Sequence, residues 1–177
     1  MKHVVPSNMK LRKVEGTDHV WLFELHNDPE VLRNLTHPSP IRFIEHLQWW
    51  NSIRNDPKEQ RLIFTVDDVR VGFTKFYAID QINDSCVLGA DIHKTNRGKG
   101  YAKHMWALML EQCFERWHMH RVSLTTADFN LIGHHVYKSL GFKEEGRMLQ
   151  SLKRDGTYHD QIMMYMLRND WSKDKPI

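Results

Sequence analysis

The hydrophobic positions change their period along the chain. Over the first third they fall at helical spacing. Val20, Trp21, Leu22 and Leu25 form one stripe, with Thr17 or Asp18 as its cap. Asp28-Pro29 reads as an N-cap followed by proline at the first helical position, opening a short helix through Val31, Leu32 and Leu35. Phe43, Leu47 and Trp50 make a third stripe, flanked by Ile44 and Ile53. The chain then turns β-rich. Residues 61–66 and 69–79 predict two strands joined at Asp67-Asp68, and 85–93 predicts a third. A glycine loop follows, then a helix whose stripe is Ala102, Met105, Met109 and Cys113, widened by Trp106, Leu110, Phe114 and Trp117. Residues 121–126 predict a strand. Asn130 caps a helix carrying Ile132, Val136 and Leu140, and Gly141 ends it in the left-handed region. Residues 142–152 and 158–167 close the chain as two strands around the turn Arg154-Asp155-Gly156. This order predicts an α/β (α+β) fold with a mixed sheet, a single domain over 1–171 and a loose tail over 172–177.

Composition narrows the class. With 177 residues, 41% hydrophobic and 27% charged, the chain is ordinary globular protein. Charged residues break up the N-terminal stretch, so no signal-peptide core is expected there. The longest strongly apolar run, 105–110, is far below the roughly 20 residues that span a bilayer. Two cysteines cannot make a disulfide framework, and a reducing cytoplasm is the expected compartment. The net charge of +3 is too small for a nucleic-acid binder. Its distribution is more telling. Residues 92–110 hold Lys94, Arg97, Lys99 and Lys103 and no acid, so a local basic patch sits on a neutral background. A small phosphorylated ligand suits that patch better than a nucleic-acid strand.

The patch surrounds the most informative segment, Asn96-Arg97-Gly98-Lys99-Gly100. Glycines at a helix N-terminus let backbone N–H groups approach an anion, and the helix dipole adds to the attraction. The dinucleotide fingerprint needs a glycine where Lys103 stands, and no stretch fits the P-loop. The pattern present is R-x-x-G-x-A at Arg97, Gly100 and Ala102. It resembles the acetyl-CoA pyrophosphate loop of the GNAT superfamily of N-acetyltransferases. Gly89 stands where many members have a strand glycine. The run from Asn130 through Gly133 and Tyr137 to Gly141-Phe142 resembles the family's second signature, with glycine in place of the usual alanine or serine at 133. The resemblance covers roughly residues 9–170.

The resemblance implies a mixed, mostly antiparallel sheet of about seven strands, splayed in the middle, with helices on both faces. It implies acetyl-CoA as co-substrate and no metal. The amides of Arg97, Gly98, Lys99, Gly100, Tyr101 and Ala102 would hold the pyrophosphate. The strand ending at Ile92 would pair with the pantetheine arm, and the amide of Ile92 or a neighbour would polarise the thioester carbonyl. Asn130 would hydrogen-bond the pantetheine, and Tyr137 would face the sulfur. Attack by a neutral amine needs a base. Asp91 and His93, which share one face of their strand by alternation, are the candidates. His118-x-His120 and His134-His135 lack the carboxylate or cysteine that would complete a metal set. Cys113 lies on the apolar helix face and reads as core, and Cys86 has no adjacent signal for activation.

Within the superfamily, 25–29 and 46–50, with the ending 155–160, resemble a branch that includes ribosomal-protein N-terminal, polyamine and nucleotide-amino-sugar acetyltransferases. The expected acceptor is the 4-amino group of a nucleotide-linked deoxyamino sugar. Trp49 would stack on the ligand, Asp160 would bind a hydroxyl or amine, and His46 would meet the diphosphate, together with Arg33, His37 and Arg42. A protein N-terminus or a polyamine is the alternative, although Glu24, Asp28, Glu30 and Glu45 make no dense acidic cluster. A non-catalytic acetyl-CoA-binding module is the second alternative. A homodimer is compatible with the resemblance, and no nucleic-acid or membrane partner is expected.

Overall fold

The computed structural model describes residues 8–172. Residues 1–7 and 173–177, which include all but the first residue of the expected tail, lie outside the described residues. A single seven-stranded sheet runs in the order β1-β2-β3-β4-β5-β7-β6. Its strands are β1 (Met9–Lys13), β2 (Gln60–Val66), β3 (Val69–Asp80), β4 (Ser85–Ile92), β5 (Arg121–Ala127), β6 (Lys143–Arg154) and β7 (Thr157–Leu167). Every pairing is antiparallel except β4 with β5. This is the mixed, mostly antiparallel sheet expected from the sequence.

Helices cover both faces. On β2, Leu62 and Phe64 belong to the main core and Ile63 to a second one, as strand alternation requires. The main core lies under α4 (Tyr101–Glu111) and α5 (Leu131–Leu140). The second core joins Leu22 and Leu25 of α1 (His19–His26) and Val31 of α2 (Pro29–Asn34) to Ile63 and Phe73. The turns read from the sequence are present. Asp67 and Asp68 both have positive φ, 48° and 63°, the conformation that matches hairpin twist.

Three features differ from the expectation. The first third is not all helical, because β1 forms an edge strand against β2. Its five residues alternate too briefly to register as a strand, although Met9 and Leu11 pack on the main core. Asp18 does not cap α1 with its side chain. It is fully buried and accepts from Arg12 Nη1 and Nη2 (2.7 and 2.9 Å), Arg70 (3.4 Å) and the Glu15 amide (2.8 Å). Burial pushes its pKa up, but these partners outweigh burial and hold the carboxyl below its usual range. Finally, the stripe of α3 (Phe43–Ile53) has the wrong phase. Its only buried residue is His46, while Ile44 is 53% exposed.

Candidate active site

The site grows from the segment after β4. The strand ends at Ile92, a short 3-10 turn covers Lys94–Asn96, and α4 begins at Tyr101. Gly98 (φ 74°) and Gly100 (φ 81°) both sit in the left-handed region. A Cβ at either would meet nothing within 4 Å, so glycine is needed for backbone conformation and not for space. No side chain caps the N-terminus of α4. Its first amides, which have no partner within the helix, therefore remain for an anion at the positive end of the dipole. Lys94 and Lys99 stand exposed beside it.

Arg97 does something the sequence did not reveal. Its Nη2 donates to Asp28 (2.9 Å), Nη1 to Glu30, and Nε to the Ile92 carbonyl (3.1 Å). Asp28 is at once the N-cap of α2, accepting from the Glu30 and Val31 amides, and the partner of Arg97. Two acids distant in sequence thus neutralise one of the four cations of the basic patch. The other end of α2 is also held. Buried Arg154, at the tip of the β6–β7 hairpin, donates to the carbonyls of Arg33 (2.8 Å) and Leu35. Cationic donors at helix C-terminal carbonyls complement the dipole. Arg33 lies over the Phe129 ring, 5.0 Å from its centroid. So α2 is a strap fastened to the β4 side by Arg97 and to the β5–β7 side by Arg154 and Phe129.

What lies between those sides is a gap in the sheet. β4 and β5 pair only at Ser85–Arg121, Cys86–Val122 and Val87–Ser123. Beyond Val87, β4 continues to Ile92 and β5 to Ala127 without pairing to each other. Apart from the Ile92 carbonyl, which takes Arg97 Nε, the backbone of β4 on this side has no strand partner and can receive an extended ligand, in the manner of β-augmentation. Tyr137 of α5 packs edge-on to Trp106 (4.8 Å between centroids) and near Phe142. Burial, then Asp91 and Tyr77, push its pKa well above the usual tyrosine value, so the phenol keeps its proton at neutral pH. Asp91 itself pairs with Lys75. His93 accepts from the Thr95 amide, bonds the Thr95 hydroxyl (2.9 Å) and stacks on Trp21 (5.4 Å). Burial and then Lys94 lower its pKa.

Asn130 caps α5 through the Gly133 amide (3.0 Å) and donates to Thr126 (3.1 Å). A Cβ at 133 would come 2.6 Å from Asn130 Nδ2. The glycine that departs from the family pattern is therefore where the capping side chain makes its closest approach.

A family model described as an acetyltransferase (GNAT) domain matches residues 8–143. The chain belongs to the GNAT acetyltransferase family. It is 26% identical over 168 residues to a spermidine N(1)-acetyltransferase of Vibrio cholerae, a match that covers 93% of this chain and 96% of the relative. It is 28% identical over 104 residues to a putative ribosomal N-acetyltransferase of Bacillus subtilis, covering 59% and 57%. The crystal structure of the Vibrio cholerae spermidine N-acetyltransferase with CoA and spermine matches at a TM-score of 0.87 and 25% identity, over 93% of this chain and 98% of that one. This chain is a GNAT N-acetyltransferase with acetyl-CoA as donor. The uncapped α4, its two left-handed glycines and the open side of β4 fit such a donor. Among the described residues no group of three His, Cys, Asp or Glu side chains could hold a metal ion.

The expected acceptor residues do not come together: His46 and Trp49 lie in the α1–α3 cluster and Asp160 lies on β7 beside Asp128. His46 is 2% exposed, bonds His19 (3.2 Å) and packs against Phe43, Phe23 and Trp49. Burial, His19 and His26 pull its pKa down to about 4, so it is neutral and cannot serve a diphosphate. Trp49 belongs to the same α1–α3 cluster, with 37% of its surface open. The Asp160 carboxylate accepts from the amide of Gln150 (2.8 Å), which has a positive φ of 50° inside a register shift of β6. It braces that irregular turn of the strand. Arg42 is committed to Glu45.

Proposed function

We propose that this GNAT enzyme acetylates a primary amine of a polyamine, in the cytoplasm where acetyl-CoA is made. The observation that carries the reading is the near full-length match to a spermidine N-acetyltransferase whose structure holds CoA and spermine. The chain's own residues support it by subtraction. The nucleotide-amino-sugar reading needed cations for a diphosphate, yet Arg42 is paired, His46 is buried and neutral, and Arg33 lies over Phe129. Glu24, within electrostatic reach of His93, and Asp128, beside His159, supply negative charge instead, which suits a polycation.

In this reading the amides of residues 97–102 hold the pyrophosphate and β4 receives the pantetheine. Asn130 already spends one oxygen contact on its cap, so it would offer the pantetheine its remaining capacity. The amine attacks the thioester carbonyl, the C–N bond forms, and the C–S bond breaks with its electrons passing to sulfur. Tyr137 stabilises the developing thiolate by hydrogen bonding. Full proton transfer is disfavoured: a thiol near 8.5 against a tyrosine near 10 is already uphill by about 2 kcal/mol, and burial widens the gap.

The test is an acceptor panel with acetyl-CoA, following CoA release and product mass. Spermidine or spermine should turn over best. Turnover confined to a nucleotide-linked amino sugar or to an N-terminal ribosomal peptide would overturn the polyamine assignment.

A further inference from the structure

The sequence offers Asp91 and His93 as bases for the acceptor, and the structure engages both elsewhere: Asp91 with Lys75, His93 with Thr95 and Trp21. A third titratable group lies on β7, next to the end of β5, on the α1–α2 face of the sheet. On β7, Ile162, Met164 and Met166 face the main core, so His159 and Gln161 face the opposite side, the side of α1 and α2. His159 Nδ1 lies 3.1 Å from Asp128 Oδ1. Asp128 directly follows β5, the strand that forms one edge of the gap. The Phe129 ring stands edge-on to His159 at 4.9 Å and carries Arg33 of the α2 strap on its face. Both members of the pair are half-buried, with 23% and 33% of their side chains exposed.

A carboxylate only accepts, so in the neutral ring Nδ1 carries the proton and Nε2 the lone pair. Asp128 is itself held: its Oδ2 accepts from the Asp160 amide (3.2 Å), and its own amide donates to the Asp160 carbonyl (3.0 Å). Arg147 of β6 feels both Asp128 and Asp160. A histidine fixed in one tautomer by an anchored carboxylate, under a helix strapped across the gap, is arranged to receive protons.

We infer that His159, oriented by Asp128, is the general base that takes the proton from the acceptor ammonium. This rests on the acetyltransferase reading of the gap. The ammonium gives one proton to Nε2. The freed lone pair attacks the thioester carbon, and the C–S bond breaks. The second proton lost from nitrogen ends on the CoA sulfur, and His159 releases its own to solvent. General bases of this kind contribute roughly 100- to 10,000-fold.

The experiment compares wild type with His159→Ala, His159→Gln and Asp128→Asn on spermidine, ethylamine and 2,2,2-trifluoroethylamine. The last two have one skeleton, but fluorination makes the amine weakly basic and mostly neutral at pH 7.5. The His159 variants should lose about 100-fold or more in kcat/KM with spermidine and ethylamine. They should keep the KM for acetyl-CoA and lose far less with the fluorinated amine. Added imidazole should partly restore His159→Ala. Equal losses on all three amines would make the pair structural, and unchanged rates would remove it from the reaction; either result overturns the inference while leaving the acetyltransferase standing. A wild type that binds acetyl-CoA and acetylates no amine overturns both.

Discussion

Gly100 offers the sharpest way to perturb the donor site, because only its backbone conformation is at stake. Its φ of 81° is left-handed, and a Cβ there touches nothing within 4 Å. Gly100→Ala therefore adds no clash. It adds only the left-handed penalty of an L-residue, about 1–2 kcal/mol. If the loop holds its shape, that strain lowers the stability of the free protein and leaves affinity unchanged. If the free loop relaxes, binding must restore the left-handed turn, and the same energy appears as a weaker Kd, by roughly 5- to 30-fold. The two losses share one total. Calorimetric titration with acetyl-CoA and thermal unfolding of the free protein measure them separately. Gly16→Ala is a matched control, since Gly16 also has open space but no positive φ. A Gly100→Ala protein with both the Kd and the Tm of wild type would refute the assignment of this glycine to a conformationally demanding anion loop.

Other outcomes follow from single contacts. Tyr137→Phe should lower kcat by about 10-fold or more while leaving the KM for acetyl-CoA nearly unchanged, read in a CoA-release assay; unaltered turnover would remove the hydroxyl from the reaction. Arg97→Ala should lower stability by about 1–3 kcal/mol, because it leaves the Asp28 carboxylate, only 8% exposed, without its cation. Urea unfolding reads that loss, and a rise in KM for acetyl-CoA should accompany it as the loop loses its hold on α2. Asp18 has a folded-state pKa below its unfolded value. Its contribution is therefore complete above the unfolded pKa of about 3.9 and is lost as pH falls through the lower folded value. Asp18→Asn should be less stable than wild type at neutral pH, and the gap should narrow below about pH 4; a constant gap would contradict the linkage.

Local signals were legible in the sequence where chemistry acts over a few residues. The glycines at 98 and 100, the Asp28-Pro29 opening, the Asp67-Asp68 turn and the Asn130 cap each declare a backbone conformation through their own residue type. The sheet's splay was legible only through the family resemblance, since nothing in 88–92 or 124–127 says that those strands part. The contacts that build the site's roof were not legible. Arg97 reads as one more cation of a basic patch until Asp28 and Glu30 arrive from 69 and 67 residues away. Arg154 reads as a turn residue until α2 presents its carbonyls, from 121 residues away in the case of Arg33. The α3 helix misled because Phe43, Leu47 and Trp50 have good spacing, yet its packed side is set by His46 against His19, and periodicity alone gives a histidine no weight as a core residue. The amino-sugar reading draws in part on that helix, where Arg42 is paired with Glu45 and His46 is buried.

The most direct measurement follows CoA release with acetyl-CoA and spermidine at neutral pH, with mass spectrometry of the amine. Monoacetylated spermidine should form in step with CoA, and Tyr137→Phe should slow its formation without weakening acetyl-CoA binding. CoA release with no acetylated polyamine, or polyamine acetylation at the full wild-type rate by Tyr137→Phe, would contradict the proposed function.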